Sequence, residues 1–342
     1  MGCELNQRRK ERQMADGTKD DARVDEESKS EDQIDDTEDE PATPAEIDAA
    51  AQIYAEVTGE DEFPKGPQYP HAGNIAKKIK DHSGKGTTRS ATIDEIFKQY
   101  RSWRKVTLSA NGEKSEVIAK KVTAFEGYSS FLDTEPVDEF DSRGALVSSA
   151  LEEFCYYLLL PILENFPQAL LGKQDTYQGL YFTAANFSQL LKLPTANTPV
   201  NTLDFIIGVQ VLGSVKQDEV SKDFPIRLPA VAVECKGYLD RPRFIESQNM
   251  ARAIKSAFPQ CMYILVAQCL KLNTNKVAVA PDIDHIYVWR RMQNIDRKIR
   301  RKSGQPLAPL YTPAIELFYN QVEHHLTSNW QMPNPFGTGI LK

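Results

Sequence analysis

The sequence predicts an α/β protein in which a mixed β-sheet is flanked by helices. The order of the periodic segments supports this class, because helix, strand, strand, helix, strand and strand follow one another in the second half of the chain. A nearly all-apolar run at 261–268 is typical of a strand that is buried on both faces. A long apolar segment at 141–166 has helical spacing and is the strongest predicted helix.

The N-terminal third predicts a tail followed by helices. Residues 1–45 contain dense acidic blocks and few apolar side chains, so we expect them to be disordered. A helix should begin near Ala45 with Thr43 as its N-cap, and residues 63–73 are rich in proline and glycine, as linkers are. Another helix is expected from Thr92. Its apolar stripe is predicted to be core and comprises Ile93, Ile96, Phe97 and Tyr100.

The remaining elements follow from apolar periodicity and turn residues. Strands are predicted at 176–183, 203–211, 228–239, 261–268 and 285–292. Further helices are predicted at 187–193, 240–257 and 314–326. Pro161 should kink or end the helix at 141–166, and residues 213–228 are expected to form a polar excursion between two strands.

Charge is unevenly distributed along the chain. Residues 1–63 contain 21 acidic and 7 basic residues, whereas the rest of the chain contains 27 acidic and 34 basic residues. The net charge of −7 therefore comes from the tail, and the remainder is mildly basic. A basic body fits a polyanionic partner, and it also fits an ordinary globular surface.

Several protein classes are excluded by simple patterns. The longest apolar stretch, 154–163, is too short to span a bilayer. No apolar segment of a secretory signal follows the N-terminal bases, and Asn6 stands where a myristoylation signal requires Ser or Thr. The 5 cysteines are odd in number and form no C-x-x-C pair, so we interpret them as reduced thiols of a cytoplasmic protein.

Three charged residues stand inside strands that are otherwise apolar. Asp204 lies in the strand L-D-F-I-I, and Glu234 and Lys236 lie in V-E-C-K. Because side chains alternate along a strand, Glu234 and Lys236 point to one face and Cys235 to the other. If the two strands are neighbours, Asp204 can join that face. Buried carboxylates are costly unless they are neutralised, and Mg²⁺ is a divalent cation that prefers such oxygen ligands.

The pattern [DE]-x-K is short, so its context decides its meaning. It occurs at Glu27/Lys29, at Glu234/Lys236 and at Asp296/Lys298. Only the second lies in an apolar strand, with an aspartate at the start of another apolar strand before it. There the lysine is placed to orient a water or to stabilise charge on a phosphate, which suits hydrolysis of a phosphodiester. The alternative is a Glu–Lys ion pair on a half-exposed edge strand.

At these residues the sequence resembles the PD-(D/E)xK nuclease superfamily. Asp204 matches the first acidic position, although Leu203 stands where the motif has proline, and Glu234 and Lys236 match the E-x-K. The segment 233–255 also resembles type II restriction endonucleases of the Bpu10I-like group, in which an E-C-K strand is followed by a Tyr-containing turn, an acidic residue and a helix. The resemblance covers about residues 140–292.

The resemblance implies a restriction-endonuclease-like core and roles for individual residues. Asp204 and Glu234 would hold Mg²⁺, and Lys236 would assist the attacking water. The superfamily often adds a glutamate from the first helix, which here is Glu152 or Glu153; Glu152 borders the buried stripe and is favoured, the alternative being that both are surface carboxylates. Accessory polar and DNA-backbone contacts are expected from the helix after E-x-K and from a later basic run. These candidates are Gln248 for the catalytic site and Arg241, Arg243, Arg252, Lys255, Arg290 and Arg291 for DNA.

The implied function is that of a Mg²⁺-dependent type II restriction endonuclease acting on double-stranded DNA at a specific site. A double-strand break needs two active sites, so we expect a homodimer or a heterodimer with a related subunit, and a cognate DNA methyltransferase as the biological partner. The alternatives are a repair or junction-resolving nuclease of the same superfamily and a non-catalytic DNA-binding module. The chain then divides into four parts. They are a disordered acidic tail (1–45), a mainly helical candidate recognition module (46–139), the nuclease core (140–292) and a basic segment with a helix (293–342).

Overall fold

Five strands form the central sheet of the computed structural model, in the order β1, β4, β5, β6 and β7. They are β1 Leu170–Tyr177, β4 Val200–Gln217, β5 Val220–Leu239, β6 Met262–Leu270 and β7 His285–Val288. Strands β1, β4 and β5 pair antiparallel, whereas β5, β6 and β7 pair parallel. The predicted mixed sheet is confirmed. Two short strands, β2 Tyr181–Thr183 and β3 Thr195–Asn197, form a separate hairpin.

The structure describes residues 41–83, 91–138, 144–192, 194–217, 220–272 and 280–330. The predicted tail at 1–45 therefore lies outside the described residues except for 41–45. Helices within the described ranges flank the sheet. They are α1 Pro44–Thr58, α2 Pro70–Ser83, α3 Ala91–Ser109, α4 Lys114–Leu132, α5 Glu135–Asp138, α6 Ala145–Leu163, α7 Phe187–Leu190, α8 Arg241–Ala257, α9 Asn294–Lys302 and α10 Thr312–Thr327.

Local signals set the helix starts. Thr43 caps α1: its hydroxyl accepts from the Glu46 N–H, and the Glu46 carboxylate accepts from the Thr43 N–H. Asp240 caps α8 by accepting the Arg243 N–H at 3.1 Å. The predicted N-cap of α1 is confirmed, and so is the apolar stripe of α3, whose members are all buried.

The two faces of the sheet are covered by different helices. Helix α6 packs on the face that carries Val231 and Val233, together with the N-terminal helices. Helix α8 packs on the opposite face, which carries Ala232 and Leu265. Strand β6 is buried along almost its whole length, as its apolar sequence predicts. Helix α6 is long and apolar enough to resemble a membrane span, but 78% of its most apolar stretch is buried inside the protein, as in a core helix.

Three predicted elements differ from the structure. The strand predicted at 176–183 is confirmed only in part, because β1 runs from Leu170 to Tyr177 and the separate strand β2 from Tyr181 to Thr183. The polar residues of β1 lie on an edge strand and give no apolar alternation. The polar excursion predicted at 213–228 is instead a β-ribbon in which β4 and β5 remain paired as far as Gln217 and Val220. Polar cross-strand pairs support this ribbon, including Ser214 with Ser221 at 3.0 Å. The linker predicted at 63–73 already contains the first turn of α2.

A buried polar cluster joins the N-terminal helices to α6. The Glu153 carboxylate accepts from the hydroxyls of Tyr100 at 2.6 Å and Tyr157 at 3.0 Å, and from the Ala72 N–H at 3.3 Å. One turn of α6 earlier, Ser149 contacts the His71 ring at 3.0 Å. Burial raises the pKa of Glu153 to about 7 and lowers the pKa of His71 to about 3.

These two groups give opposite dependences of stability on pH. His71 binds a proton more readily in the unfolded chain, so its contribution is complete above its unfolded pKa of 6.5 and is lost as pH falls toward about 3. Glu153 binds a proton more readily in the folded protein, so its contribution is complete below pH 4.5 and is lost as pH rises toward about 7. Between pH 4.5 and 6.5 the two slopes, each about 1.4 kcal/mol per pH unit, should nearly cancel.

We predict that replacing either residue reveals the pH dependence of stability that the other residue contributes. Relative to the wild type, Glu153→Gln should lose unfolding free energy as pH falls from 6.5 to 4.5, whereas His71→Asn should gain it. Chemical denaturation at half-unit pH steps measures the difference, with the exposed Glu116→Gln on α4 as the control. Profiles of both variants that run parallel to the wild type would show that the cluster does not titrate in this way.

Candidate active site

The candidate site lies where strands β4 and β5 stop pairing. Their ladder ends at Phe205 and Val233, and the next residues toward the site are Asp204 on β4 and Glu234 on β5. There Asp204 Oδ2 accepts the backbone N–H of Cys235 at 2.8 Å. The carboxylate thus takes the role that a backbone carbonyl has elsewhere in the ladder. The two strands are neighbours, as the sequence argument requires.

A bulge in β4 accompanies this change. Gly172 and Gln174 of β1 face Ile206 and Leu203 of β4, so Lys173 alone lies opposite two residues, Asp204 and Phe205. Bulges turn a side chain out of the regular alternation and are frequent beside active sites. Because of this bulge, the direction of the Asp204 side chain does not follow from simple alternation along β4.

Glu234 is held from two sides. Its Oε1 accepts from Lys236 Nζ at 2.8 Å, and its Oε2 accepts from the Tyr263 hydroxyl of β6 at 2.5 Å. Glu234 is only 7% exposed, whereas the Lys236 side chain is 23% exposed. Glu234 and Lys236 share a face as predicted. Cys235 points to the opposite side, where its Sγ lies 3.9 Å from Cys155 Sγ of α6, and both thiols are free.

The charges of the site are strongly coupled. Burial, reinforced by Glu234, raises the pKa of Asp204 above its ordinary value, although Lys236, Lys173 and the Cys235 N–H act in the other direction. Burial alone would lower the pKa of Lys236, but the carboxylates of Asp204 and Glu234 outweigh it and raise that pKa above its ordinary value. Lys236 is therefore a cation in this arrangement, and it acts on Asp204 together with Lys173.

The donor set fits a hard divalent cation. Asp204 and Glu234 supply carboxylate oxygens, and Mg²⁺ commonly takes one or two carboxylates and keeps several waters. Among the described residues no group of three or more His, Cys, Asp or Glu side chains is arranged to hold a metal ion. A cation bound by Asp204 and Glu234 would offset the charge of both carboxylates and would compete with Lys236 for Glu234.

The two candidate glutamates of α6 face different surroundings. Burial, with Cys155, Asp204 and Glu152 nearby, raises the pKa of the Cys235 thiol well above its ordinary value. Glu152 therefore lies near Cys235, on the α6 side of the E-C-K strand, and its catalytic role stays a prediction. Glu153 instead lies in the buried polar cluster, where it accepts from Tyr100 and Tyr157. The expectation that Glu153 is an alternative active-site glutamate does not fit this position. Both side chains are buried, so neither is a surface carboxylate.

The predicted DNA-contact residues divide into separate groups. Arg243, at the start of α8, lies 4.1 Å from the Tyr238 ring centroid and 3.3 Å from Asp240; exposed Arg241 begins the same helix. At the far end of α8, Arg252 pairs with Asp282 at 3.2 Å and Lys255 with Asp284 at 2.7 Å. Arg241 and Arg243 therefore lie nearest to the E-C-K strand in sequence and in fold.

Arg290 requires a correction. It is fully buried, and its guanidinium donates to the Ala308 carbonyl, to Ser129 Oγ at 2.7 Å and to Gln268 Oε1 at 3.4 Å. A side chain that holds three internal acceptors is part of the core and does not reach a DNA backbone. The neighbouring Arg291 is exposed and lies over the Tyr311 ring at 3.3 Å.

Two residues of the site are not predicted from the sequence. Tyr263 stands within an apolar run, and the signal that could identify it is its hydroxyl, which needs a partner inside such a strand. Lys173 gave no signal, because β1 was not predicted at its position. Gln248 is half-buried on α8, and its accessory role stays a prediction.

Comparisons with known proteins found a sequence family and a solved structure that are similar to this chain. The sequence model of the Bpu10I restriction endonuclease family matches residues 145–306. A solved structure described as the native BbvCI A2B2 tetramer at low resolution superposes with a TM-score of 0.58 and 19% sequence identity. That match covers 77% of this chain and 98% of the BbvCI chain. No curated protein sequence matches the chain.

The shared fold extends beyond the family-matched segment, because 77% of the chain is more than residues 145–306 can supply. Part of the helical N-terminal region therefore belongs to the fold that the two proteins have in common. The resemblance to the Bpu10I group of restriction endonucleases, drawn first from the segment 233–255, is confirmed by the family match over residues 145–306.

Proposed function

We propose that this chain is a Mg²⁺-dependent type II restriction endonuclease that hydrolyses phosphodiester bonds of double-stranded DNA at a specific site. The observation that carries the proposal is the contact of Glu234 with Lys236 beside the half-buried Asp204, at the point where β4 and β5 part. This cluster lies inside the segment that matches a restriction endonuclease family. Cytoplasmic location and site specificity follow from the same proposal.

Each residue of the cluster has a role in the proposed reaction. Asp204 and Glu234 would hold Mg²⁺, which supplies an activated water and stabilises charge on the phosphate. Lys236, protonated and partly exposed, would donate to the attacking water or to a phosphate oxygen and hold it in line. Glu152, which is buried, would add a further carboxylate from the α6 side of β5.

The DNA backbone would approach the surface beside the C-terminal end of the E-C-K strand. Tyr238 follows Lys236 on the same face of β5, and its ring lies 4.1 Å from the Arg243 guanidinium and 5.8 Å from Lys271 Nζ. These cations lie next to the proposed reaction site and suit phosphate contacts that position the duplex. Arg241 and Arg291 are exposed and are proposed as further contacts, whereas Arg252 and Lys255 would first have to leave their acidic partners.

We also propose an oligomeric assembly and a function for each part of the chain. Two active sites are needed for a double-strand break, so the chain would act as a homodimer or as a heterodimer with a related subunit. The BbvCI structure is described as an A2B2 tetramer, which illustrates a multi-chain arrangement on a similar fold. A cognate methyltransferase would protect host DNA. Residues 46–139 would support recognition and 140–292 would perform the hydrolysis.

We predict that Glu234→Ala and Lys236→Ala abolish cutting of phage and plasmid DNA. The wild type should produce discrete fragments that require Mg²⁺ and disappear with EDTA. Each variant should lose more than about a hundredfold in rate, because residues that only support metal ligands already cost ten- to hundredfold. Gel assays of initial rates, with Kd for the same DNA, measure the effect.

The chain provides a matched control in its third [DE]-x-K pattern, Asp296/Lys298, which is exposed on α9. Asp296→Ala and Lys298→Ala should leave cutting unchanged. Random degradation or cleavage of branched DNA only would favour a repair or junction-resolving nuclease. DNA binding without cutting would point to a missing subunit or a non-catalytic module, and the absence of both would contradict the proposal for this chain alone.

We also predict that Arg243→Ala weakens DNA binding more than Arg252→Ala. The two arginines lie on the same helix about 14 Å apart along its axis, and Arg252 faces Asp282 rather than the proposed site. Arg243→Ala should lower the slope of log Kd against log salt concentration by about 1, the change expected when one phosphate contact is lost. Fluorescence anisotropy at 50 to 200 mM salt, about the range in which phosphate contacts are sensitive, measures the slope. Equal slopes for both variants would place the duplex elsewhere.

A further inference from the structure

The Tyr263 hydroxyl contacts the carboxylate that the proposed mechanism uses most. It donates to Glu234 Oε2 at 2.5 Å, while Lys236 donates to the other oxygen of the same carboxylate at 2.8 Å. Tyr263 is fully buried on β6, the strand that pairs parallel with β5. Its ring therefore lies within the core, and its hydroxyl is the part that reaches the site.

The backbone of Tyr263 is fixed independently of Glu234. The Tyr263 N–H donates to Asp284 Oδ2 at 2.6 Å, and the Asp284 N–H donates back to the Tyr263 carbonyl at 2.9 Å. Lys255 pairs with the same Asp284 carboxylate at 2.7 Å. The hydroxyl is thus presented from a residue that is anchored on both sides. It can orient Glu234 without itself being positioned by Glu234.

Tyr263 remains a donor under working conditions. A phenol ordinarily loses its proton only at about pH 10, so the Tyr263 hydroxyl is neutral at neutral pH. A neutral hydroxyl adds no charge to the site. Its effect on Glu234 is directional: it occupies Oε2 and leaves Oε1 toward Lys236.

We propose that Tyr263 is a positioning residue that holds the Glu234 carboxylate in the orientation needed to bind a divalent cation. The inference rests on the proposed function, because it assigns Glu234 to the metal. Hydrogen bonds from outer residues orient carboxylate ligands, and their removal typically weakens metal affinity or activity ten- to hundredfold. Without the hydroxyl, Glu234 can rotate and offer both oxygens to Lys236, which then competes more strongly with the cation.

The test is Tyr263→Phe in the full chain, which removes the hydroxyl and keeps the ring. Mn²⁺ serves as the probe, and the electron paramagnetic resonance signal of the free ion measures its binding without DNA or turnover. We expect the Kd for Mn²⁺ to rise ten- to hundredfold. In cleavage assays the Mg²⁺ concentration for half-maximal rate should rise similarly, while the rate at saturating Mg²⁺ should recover most of its wild-type value.

The neighbouring strand offers a matched control. Tyr287 on β7 is also buried, and within the described part of the chain its hydroxyl has no hydrogen-bond partner. Its ring packs on Phe318, on the side of the sheet away from α8. Tyr287→Phe therefore makes the same chemical change without touching Glu234, and it should leave the Kd for Mn²⁺ unchanged.

A double-mutant cycle shows whether Tyr263 acts through Glu234. In the Glu234→Gln background, Tyr263→Phe should have no further effect on Mn²⁺ binding, because the oriented carboxylate is already gone. Unfolding curves of each variant check that the fold is retained.

The outcomes separate this inference from the proposed function. Wild-type Mn²⁺ binding that Glu234→Gln weakens by about tenfold or more but Tyr263→Phe leaves within about twofold would overturn the role of Tyr263 and keep the metal site. An equal loss in Tyr287→Phe and Tyr263→Phe would assign the effect to packing and would also overturn it. Wild-type protein that binds no Mn²⁺, or binding that Glu234→Gln leaves intact, would contradict both the metal site and the inference.

Discussion

The burial of helix α6 on every side is the constraint on which the rest of the structure depends. Fourteen of its 19 residues are buried, between the sheet on one side and the N-terminal helices on the other. Phe154 shows both contacts: it stacks on Phe125 of α4 at 4.2 Å and meets Trp289 edge-on at 5.6 Å. A helix without a solvent face must satisfy its polar groups internally. Its two adjacent glutamates therefore point apart, Glu153 into the tyrosine cluster and Glu152 toward the E-C-K strand.

The site itself depends on the parting of β4 and β5. While two strands remain paired, their backbone groups satisfy each other and leave no place for a carboxylate between them. Where the ladder ends, the Cys235 N–H needs an acceptor, and Asp204 supplies it at 2.8 Å. This brings two carboxylates and a lysine together in a buried place, where such groups usually cost stability. Such a cluster does not help the fold, so it is expected at a site that needs the charges for a chemical reaction.

Local chemistry in the sequence was sufficient for several elements. Thr43 and Glu46 form a capping box whose contacts span three residues, and the apolar run of β6 needs burial on both faces wherever it lies. The E-x-K spacing places Glu234 and Lys236 on one face by strand geometry alone, and their 2.8 Å contact follows. In contrast, β1 is polar and lies at an edge, and the β4–β5 ribbon is stabilised by cross-strand pairs that no short pattern reports.

The sequence by itself determined the residue types of the candidate site, their spacing within each strand and the class of fold, because these depend on contacts between near neighbours in the chain. Only the tertiary structure decided which distant groups meet them. It separated Glu152 from Glu153, turned Arg290 into a core residue and brought Tyr263 to Glu234. Those outcomes depend on strand register, on the bulge opposite Lys173 and on packing around α6. Each joins residues far apart in sequence, and periodicity does not record such pairings.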